Sequence, residues 1–372
     1  MKKSSAVCGR DLNLLLGTAM LSPLLRLVPG SAAALGGSSA WAGPLAALPL
    51  GLLYAALLHR LRRTLSPGET FPALTRRILG PRLGGLVLLF FAAWLLLYAG
   101  FVLRSGAERL QVTAYPRSGP GIFVVSMGLV ILFSALGPFR SLTRTARMAG
   151  PVLLLLLLLL LLKAARTLDL SELLPLDGKG LLCSSFPALD LLAFALAVRF
   201  FFLPGETGRG EAFLPCALRL GLFCLLLCGV GVAVQGRFGA ALSARLSAPF
   251  FALVRNLVFF RSLERMEALV VGLWILPDFL LGSLCLHGAQ RCLRLAFGFL
   301  PGETESRLDL SGGRLLIWLC GTVSVALGLL LGRDPARLQL WSRTVVPLLN
   351  LFFSFLLLPG TLLLCGRKRR GK

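Results

Sequence analysis

Acidic charge is scarce in this 372-residue chain: 16 Asp and Glu stand against 39 Lys and Arg, and charged residues of both signs make up only 15%. Histidine occurs twice and tyrosine three times. His59 and His287 fall in unrelated parts of the hydropathy pattern, and no Ser or Cys nucleophile is spaced with a base, so an enzyme is not expected. The nine Cys fit no metal-ligand spacing. Cys224 and Cys228 share a helix face, yet most thiols, Cys285 and Cys320 among them, sit in or beside apolar runs as small hydrophobes. No metal, cofactor or structural disulfide is therefore expected. Extended polar sequence is missing too, since the longest polar stretches reach only about 20 to 30 residues, which leaves no room for a soluble domain.

Apolar sequence fills the rest. Hydrophobic residues are 56% of the chain and the mean hydropathy is +0.82. Runs such as Leu153 to Leu162 have no polar face, so the pattern is that of an all-α integral membrane protein in contact with the lipid bilayer. Spans are expected near 12–29, 41–58, 84–103, 121–139, 148–163, 183–203, 220–236, 268–287, 315–332 and 345–364. These ten divide into two sets of five, 12–163 and 183–364, followed by a basic tail, 365–372. Arg10 and Asp11 lead into the first span with no small-residue cleavage site after it, so it reads as a retained helix rather than a signal.

A formal charge of +23 raises the question of nucleic acid, but the Lys and Arg are scattered between spans rather than gathered on one domain. No nucleic-acid partner is expected. They report topology instead. With the N-terminus inside, the inner segments hold 23 of them against 15 in outer segments and span ends, with Arg199 inside a span. That bias favours two cytoplasmic termini.

Pro-Gly-Glu-Thr occurs three times, from Pro67, Pro204 and Pro301. The spacings of 137 and 97 residues are unequal, so this is no structural repeat. Recurrent turn chemistry on the cytoplasmic side is the simpler reading, and a shared docking surface is the alternative. Ala240 to Ser262 carries Arg245, Arg255 and Arg261, too many charges to span, while Leu246, Phe250, Leu253 and Leu257 recur at helical spacing. It reads as a helix lying at the outer interface with its apolar side down.

Candidate chemistry begins in the first span, NLLLGTAMLSPLLRLVPG, where Gly17, Thr18, Ser22, Pro23 and Arg26 interrupt the apolar run. A break in hydrocarbon survives only where it is buried in protein or lines a polar cavity, and transporters use such breaks to bind substrate. Small residues for close packing are the alternative. In a five-plus-five inverted repeat the sixth span is equivalent to the first, and it contains Pro187, Asp190 and Arg199. Asp190 falls near the outer end and Arg199 near the cytoplasmic end, within snorkelling reach. The eighth span places Pro277-Asp278 about 11 residues into an apolar helix by the window boundaries, where Asp278 is expected to carry a proton, contact an ammonium or pair with an Arg. Tyr98 in the third span offers a hydroxyl to the same cavity or simply packs.

With these residues in view, the chain resembles the B-subunit family of bacterial spore germinant receptors, a branch of the amino acid, polyamine and organocation transporter superfamily. The stretches that carry the resemblance are GTAMLSP at 17–23, SPGETFPALTRRILGPRLG at 66–84, LYAGFVLRSGAERL at 97–110 and FFALVRNLVFFRSLERMEALVVGLWI at 250–275. The resemblance implies ten helices in an inverted repeat with helices 1 and 6 broken. It implies a small germinant, such as an amino acid, bound there, and a complex with A and C subunits in the inner membrane of the spore. Carried over by position, Gly17, Thr18 and Ala19 match the first break, Tyr98 a cavity-facing tyrosine, and Ala195 to Val198 fall near the sixth-helix break. Arg255, Glu264, Arg265 and Glu267 match a family pattern without an assigned role. Two features depart from the family: the sixth span is poor in polar residues, and Pro277-Asp278 is unexpected. A proton-coupled amino acid permease using Asp278, and a scaffold that only anchors partners, are the competing readings.

Overall fold

The computed structural model describes residues 9–62, 65–66, 68–113, 115, 117–203, 213–257, 273–298, 307–331 and 335–370. Glu264, Arg265, Glu267, Pro67 and the second and third Pro-Gly-Glu-Thr copies lie outside them. In the first copy Gly68 turns with φ +78° and Thr70 leads into the next helix.

Thirteen α-helices are named here: α1 Gly9–Gly36, α2 Gly43–Arg62, α3 Phe71–Thr113, α4 Pro120–Leu136, α5 Phe139–Ala164, α6 Gly178–Phe202, α7 Phe213–Arg245, α8 Pro249–Asn256, α9 Ile275–Ala296, α10 Arg307–Leu331, α11 Pro335–Leu340, α12 Val346–Leu351 and α13 Leu358–Arg370. Two π-helical turns, Trp341–Val345 and Phe352–Leu357, join the last three into one long rod. Seven helical stretches among the described residues are long and apolar enough to cross a membrane. The first of them contains both α1 and α2, α4 is shorter at 17 residues, and α9 is the remaining rod, with Asp278, Arg291 and Arg294 along it. With these, the described residues hold ten rods in the order of the ten hydropathy windows, the eighth lying later in the sequence than its window.

Packing follows the five-plus-five symmetry. The first and sixth crossings, α1 and α6, pack on each other, as do the third and eighth, α3 and α9. Secondary contacts come in related pairs: α2 on α6 answers α7 on α1, and α10 on α3 answers α4 on α9. Close approach depends on residues without side chains. A Cβ on Gly43 would stand 2.4 Å from the Ser184 carbonyl oxygen, so the start of α2 reaches α6 only because Gly43 is there. The leucine run of α5 divides in the same way, with Leu153, Leu157 and Leu160 buried at helical spacing and Leu155, Leu158 and Leu162 exposed to where lipid would be.

Several boundaries differ from expectation. No unwound stretch appears at Gly17–Ala19 or Ala195–Val198, where α1 and α6 stay helical. Their interruptions are prolines: Pro23 and Pro29 in α1 and Pro187 in α6 each lack an N–H, which removes one ladder bond without opening a turn. The marked break is at Gly80 in α3, whose φ of +81° directly before Pro81 sets a short helix, 71–79, at an angle to the long rod. That rod then runs to Thr113, ten residues beyond the window, and takes Arg104 and Arg109 into the interior. The interfacial helix also changes place. α7 continues to Arg245 across a second glycine break at Gly239, and α8 is a separate turn started by Pro249. Phe250, Phe251, Leu253 and Val254 of α8 are buried in protein, with Phe250 and Phe251 against the Trp274 ring. The apolar side of α8 meets α1 rather than a membrane surface.

Candidate functional site

The long α3 rod delivers Arg109 to the place where α9 begins, opposite the middle of α1. Its Nη2 donates to Asp278 Oδ2 at 2.5 Å and to the Trp274 carbonyl at 3.4 Å, and its Nη1 donates to Ser22 Oγ at 2.9 Å. The guanidinium lies over the Phe251 ring, 5.0 Å from the centroid. Both side chains of the ion pair are almost wholly buried, at 2% and 6% exposure. Three crossings and α8 thus meet at one arginine. Asp278 is not in mid-helix. It occupies the first turn of α9, where an acidic group meets unsatisfied N–H groups and where Pro277 costs no ladder bond. Pro-Asp here is a helix-start signal rather than a kink.

Arg26 stands one turn beyond Ser22 on α1. Its side chain is 9% exposed, and its guanidinium sits 5.4 Å from the Phe101 ring centroid. No described residue accepts a hydrogen bond from it. The exposed remainder faces a cavity of about 560 Å³, lined also by Gly30, Ser31, Glu108, Arg245, Ser247, Gln339, Ser342 and Arg343. That volume suits a small solute. A narrower arm of about 70 Å³ shares Leu27, Ser31, Ser342 and Arg343 with it and ends at Pro187 and Asp190 of α6. Asp190 is the middle residue of α6 and is 2% exposed, so it lies deep and not near the outer end. Its Oδ1 has no hydrogen-bond partner among the described residues.

Tyr98 stacks on Phe194, one turn after Asp190, with centroids 4.0 Å apart. Its hydroxyl is buried without a hydrogen-bond partner among the described residues and lies within electrostatic reach of Asp190, Arg26 and Asp278. Below it, Trp94 Nε1 donates to Asn350 Oδ1 at 3.1 Å, and Asn350 sits against Asp190. Tyr98, Asp190 and Asp278 therefore belong to one neighbourhood between α1, α3, α6 and α9. Gly17 and Ala195 line a different feature, an open apolar groove of about 100 Å³ between α1, α6 and α7 that also holds Asn13, Arg199 and Arg219. Thr18 turns to its own helix and α5, with Oγ1 donating to the Leu14 carbonyl at 2.9 Å and approaching the Ala146 carbonyl at 3.5 Å. Ala19 is core.

Ser22, Arg26, Glu108, Arg109 and Trp274 were not assigned from sequence. Ser22 and Arg26 are four residues apart on α1, the spacing that places two side chains on one face, and that polar pair inside an apolar span was the available signal. Arg109 gave none, because charge counting placed it outside the membrane.

A comparison with curated protein sequences returns no match. Among solved structures, a Na⁺-coupled sialic acid symporter in a substrate-bound, outward-open state is similar at 12% identity with a TM-score of 0.65, over 96% of this chain and 78% of that one. Mhp1, a nucleobase-cation-symport-1 family transporter in a closed conformation with bromovinylhydantoin bound, is similar at 15% identity with a TM-score of 0.64, over 96% of this chain and 79% of that one. The shared property at such identities is the transporter fold. A family model described as spore germination protein matches residues 12–302, well over half of the sequence, and so this membrane protein belongs to the spore germination protein family.

Proposed function

We propose that the chain is the membrane subunit of a spore germinant receptor, which binds a small germinant such as an amino acid in the cavity at Arg26 and its Asp190 arm. The observation that carries this reading is a solute-sized cavity reaching buried ionic and hydroxyl groups between α1, α3 and α6, in a chain of the spore germination family. The two symporters of like fold carry or bind small solutes, sialic acid in one and a hydantoin in the other. Asp190, whose Oδ1 has no hydrogen-bond partner among the described residues, lines the arm and is the side chain that a ligand entering it would satisfy, with the Tyr98 hydroxyl behind it. Ligand then favours one arrangement of the two repeats, 12–163 and 183–364, and biases associated A and C subunits toward germination. In this reading both termini are cytoplasmic in the spore inner membrane and the cavity opens outward. Deleting the gene in its host and exposing the spores to single amino acids, sugars and nucleosides tests it. Loss of one response with the others kept supports a receptor component; retention of every response counts against it.

A second reading is a permease, favoured by the symporter fold itself. Purified protein in liposomes separates the two, since net solute flux belongs to a permease alone. Proton coupling through Asp278 fails if Asp278→Asn leaves pH-dependent uptake unchanged. The Arg109 pair speaks against that role, because it already engages the carboxylate as a tie between α3 and α9.

A further inference from the structure

We propose that Arg26 seats the carboxylate of a small organic anion, and that net negative charge is the recognition feature of this cavity. This rests on the reading of the cavity as the ligand site and goes beyond it by naming the ligand's charge.

Two buried arginines stand near each other in this region, and their situations differ. Arg109 is engaged by Asp278, Ser22 and the Trp274 carbonyl, so the ion pair is neutral as a unit. Arg26 has no hydrogen-bond acceptor among the described residues: the Phe101 ring stabilises a cation without accepting its N–H groups, and Asp278 and Glu108 act on it only at longer range. An arginine that is only 9% exposed as a residue normally finds a carboxylate or several carbonyls. No described carboxylate lies within ion-pair distance of Arg26, and its polar edge faces the cavity. The wall adds Arg245 and Arg343 against Glu108, three cations to one carboxylate. Such a surface attracts anions into a low-dielectric pocket, and the planar fork of an arginine matches a carboxylate with two parallel hydrogen bonds. Ser31 on α1 faces the same space, which places a reporter at that position beside the bound solute.

The experiment uses the full chain in lipid nanodiscs carrying Ser31→Cys, with succinate, its uncharged amide succinamide, and the cation glycinamide as probes. Modification of residue 31 by a thiol reagent is read by peptide mass spectrometry, which separates it from the native thiols. Succinate is expected to slow modification, with succinamide and glycinamide far weaker. Arg26→Gln is expected to weaken protection by succinate about tenfold or more, and Arg26→Lys to retain part of it. Thermal midpoints of the variants without solute establish that they fold. If Arg26→Gln does not fold, the ratio of succinate to succinamide protection in the Ser31→Cys protein with Arg26 intact decides alone. Equal protection by succinate and succinamide, no protection by succinate, or full protection in a folded Arg26→Gln protein overturns the assignment. Arg26-dependent succinate protection beside unchanged germination of the gene-deleted spores upholds the anion site and removes the receptor role, so the two failures are distinguishable.

Discussion

Arg109 and Asp278 meet 2.5 Å apart inside the bundle, joining the far end of the third crossing to the first turn of the eighth, with Ser22 of the first crossing on the same guanidinium. A buried pair of this kind adds little net stability against an apolar replacement, but removing one partner strands the other charge. Asp278→Asn or Arg109→Leu alone is expected to cost ~3–5 kcal/mol, and the double replacement less than either single one. Denaturation midpoints in detergent micelles check this. A fully stable Asp278→Asn protein would show that the pair does not tie α3 to α9.

Tyr98→Phe separates a structural role from a ligand role. Its hydroxyl has no protein partner among the described residues, while its ring stacks on Phe194. Removing the hydroxyl is expected to leave the melting midpoint unchanged or slightly raised. Germinant response should fall if the hydroxyl meets ligand. A clear loss of stability would instead mean that the hydroxyl is bonded within the fold.

Two glycines of the first two crossings are expected to behave oppositely. Nothing lies within 4 Å of a Cβ built on Gly17, whereas one on Gly43 would stand 2.4 Å from the Ser184 backbone oxygen. Gly17→Ala is therefore neutral, or stabilising by up to about 1 kcal/mol through helix propensity. Gly43→Val forces α2 away from α6 and should lower the yield of monodisperse protein. Size-exclusion profiles of the two variants, made in parallel, test the contrast.

Asn350→Leu addresses the polar tie between the third and tenth crossings. Trp94 Nε1 donates to Asn350 Oδ1 at 3.1 Å, and Asn350 is fully buried. Stranding that indole N–H is expected to cost about 1–3 kcal/mol, visible as a lower melting midpoint and an altered tryptophan emission. An unchanged midpoint would mean that water or another acceptor replaces the amide.

The sequence by itself determined the all-helical membrane class and the order of the apolar helices. A bilayer demands about 20 apolar residues per helix, and that demand is local, legible in windows such as 183–203. Three residues of the site neighbourhood, Tyr98, Asp190 and Asp278, were legible as well, because a polar side chain in an apolar run is conspicuous wherever it ends up. Partnership was not legible. Arg109 looked like a topology marker until α3 extended past its window and met α9, a contact across 169 residues of sequence. Gly17 and Ala195 looked like members of one site with Tyr98 and instead face a separate groove, since the direction a helical residue points depends on how the helices are rotated against one another. Those rotations are set by packing between distant segments, at contacts such as Gly43 on Ser184. Only the tertiary structure decided which buried charge is paired and which, Arg26, faces an open cavity.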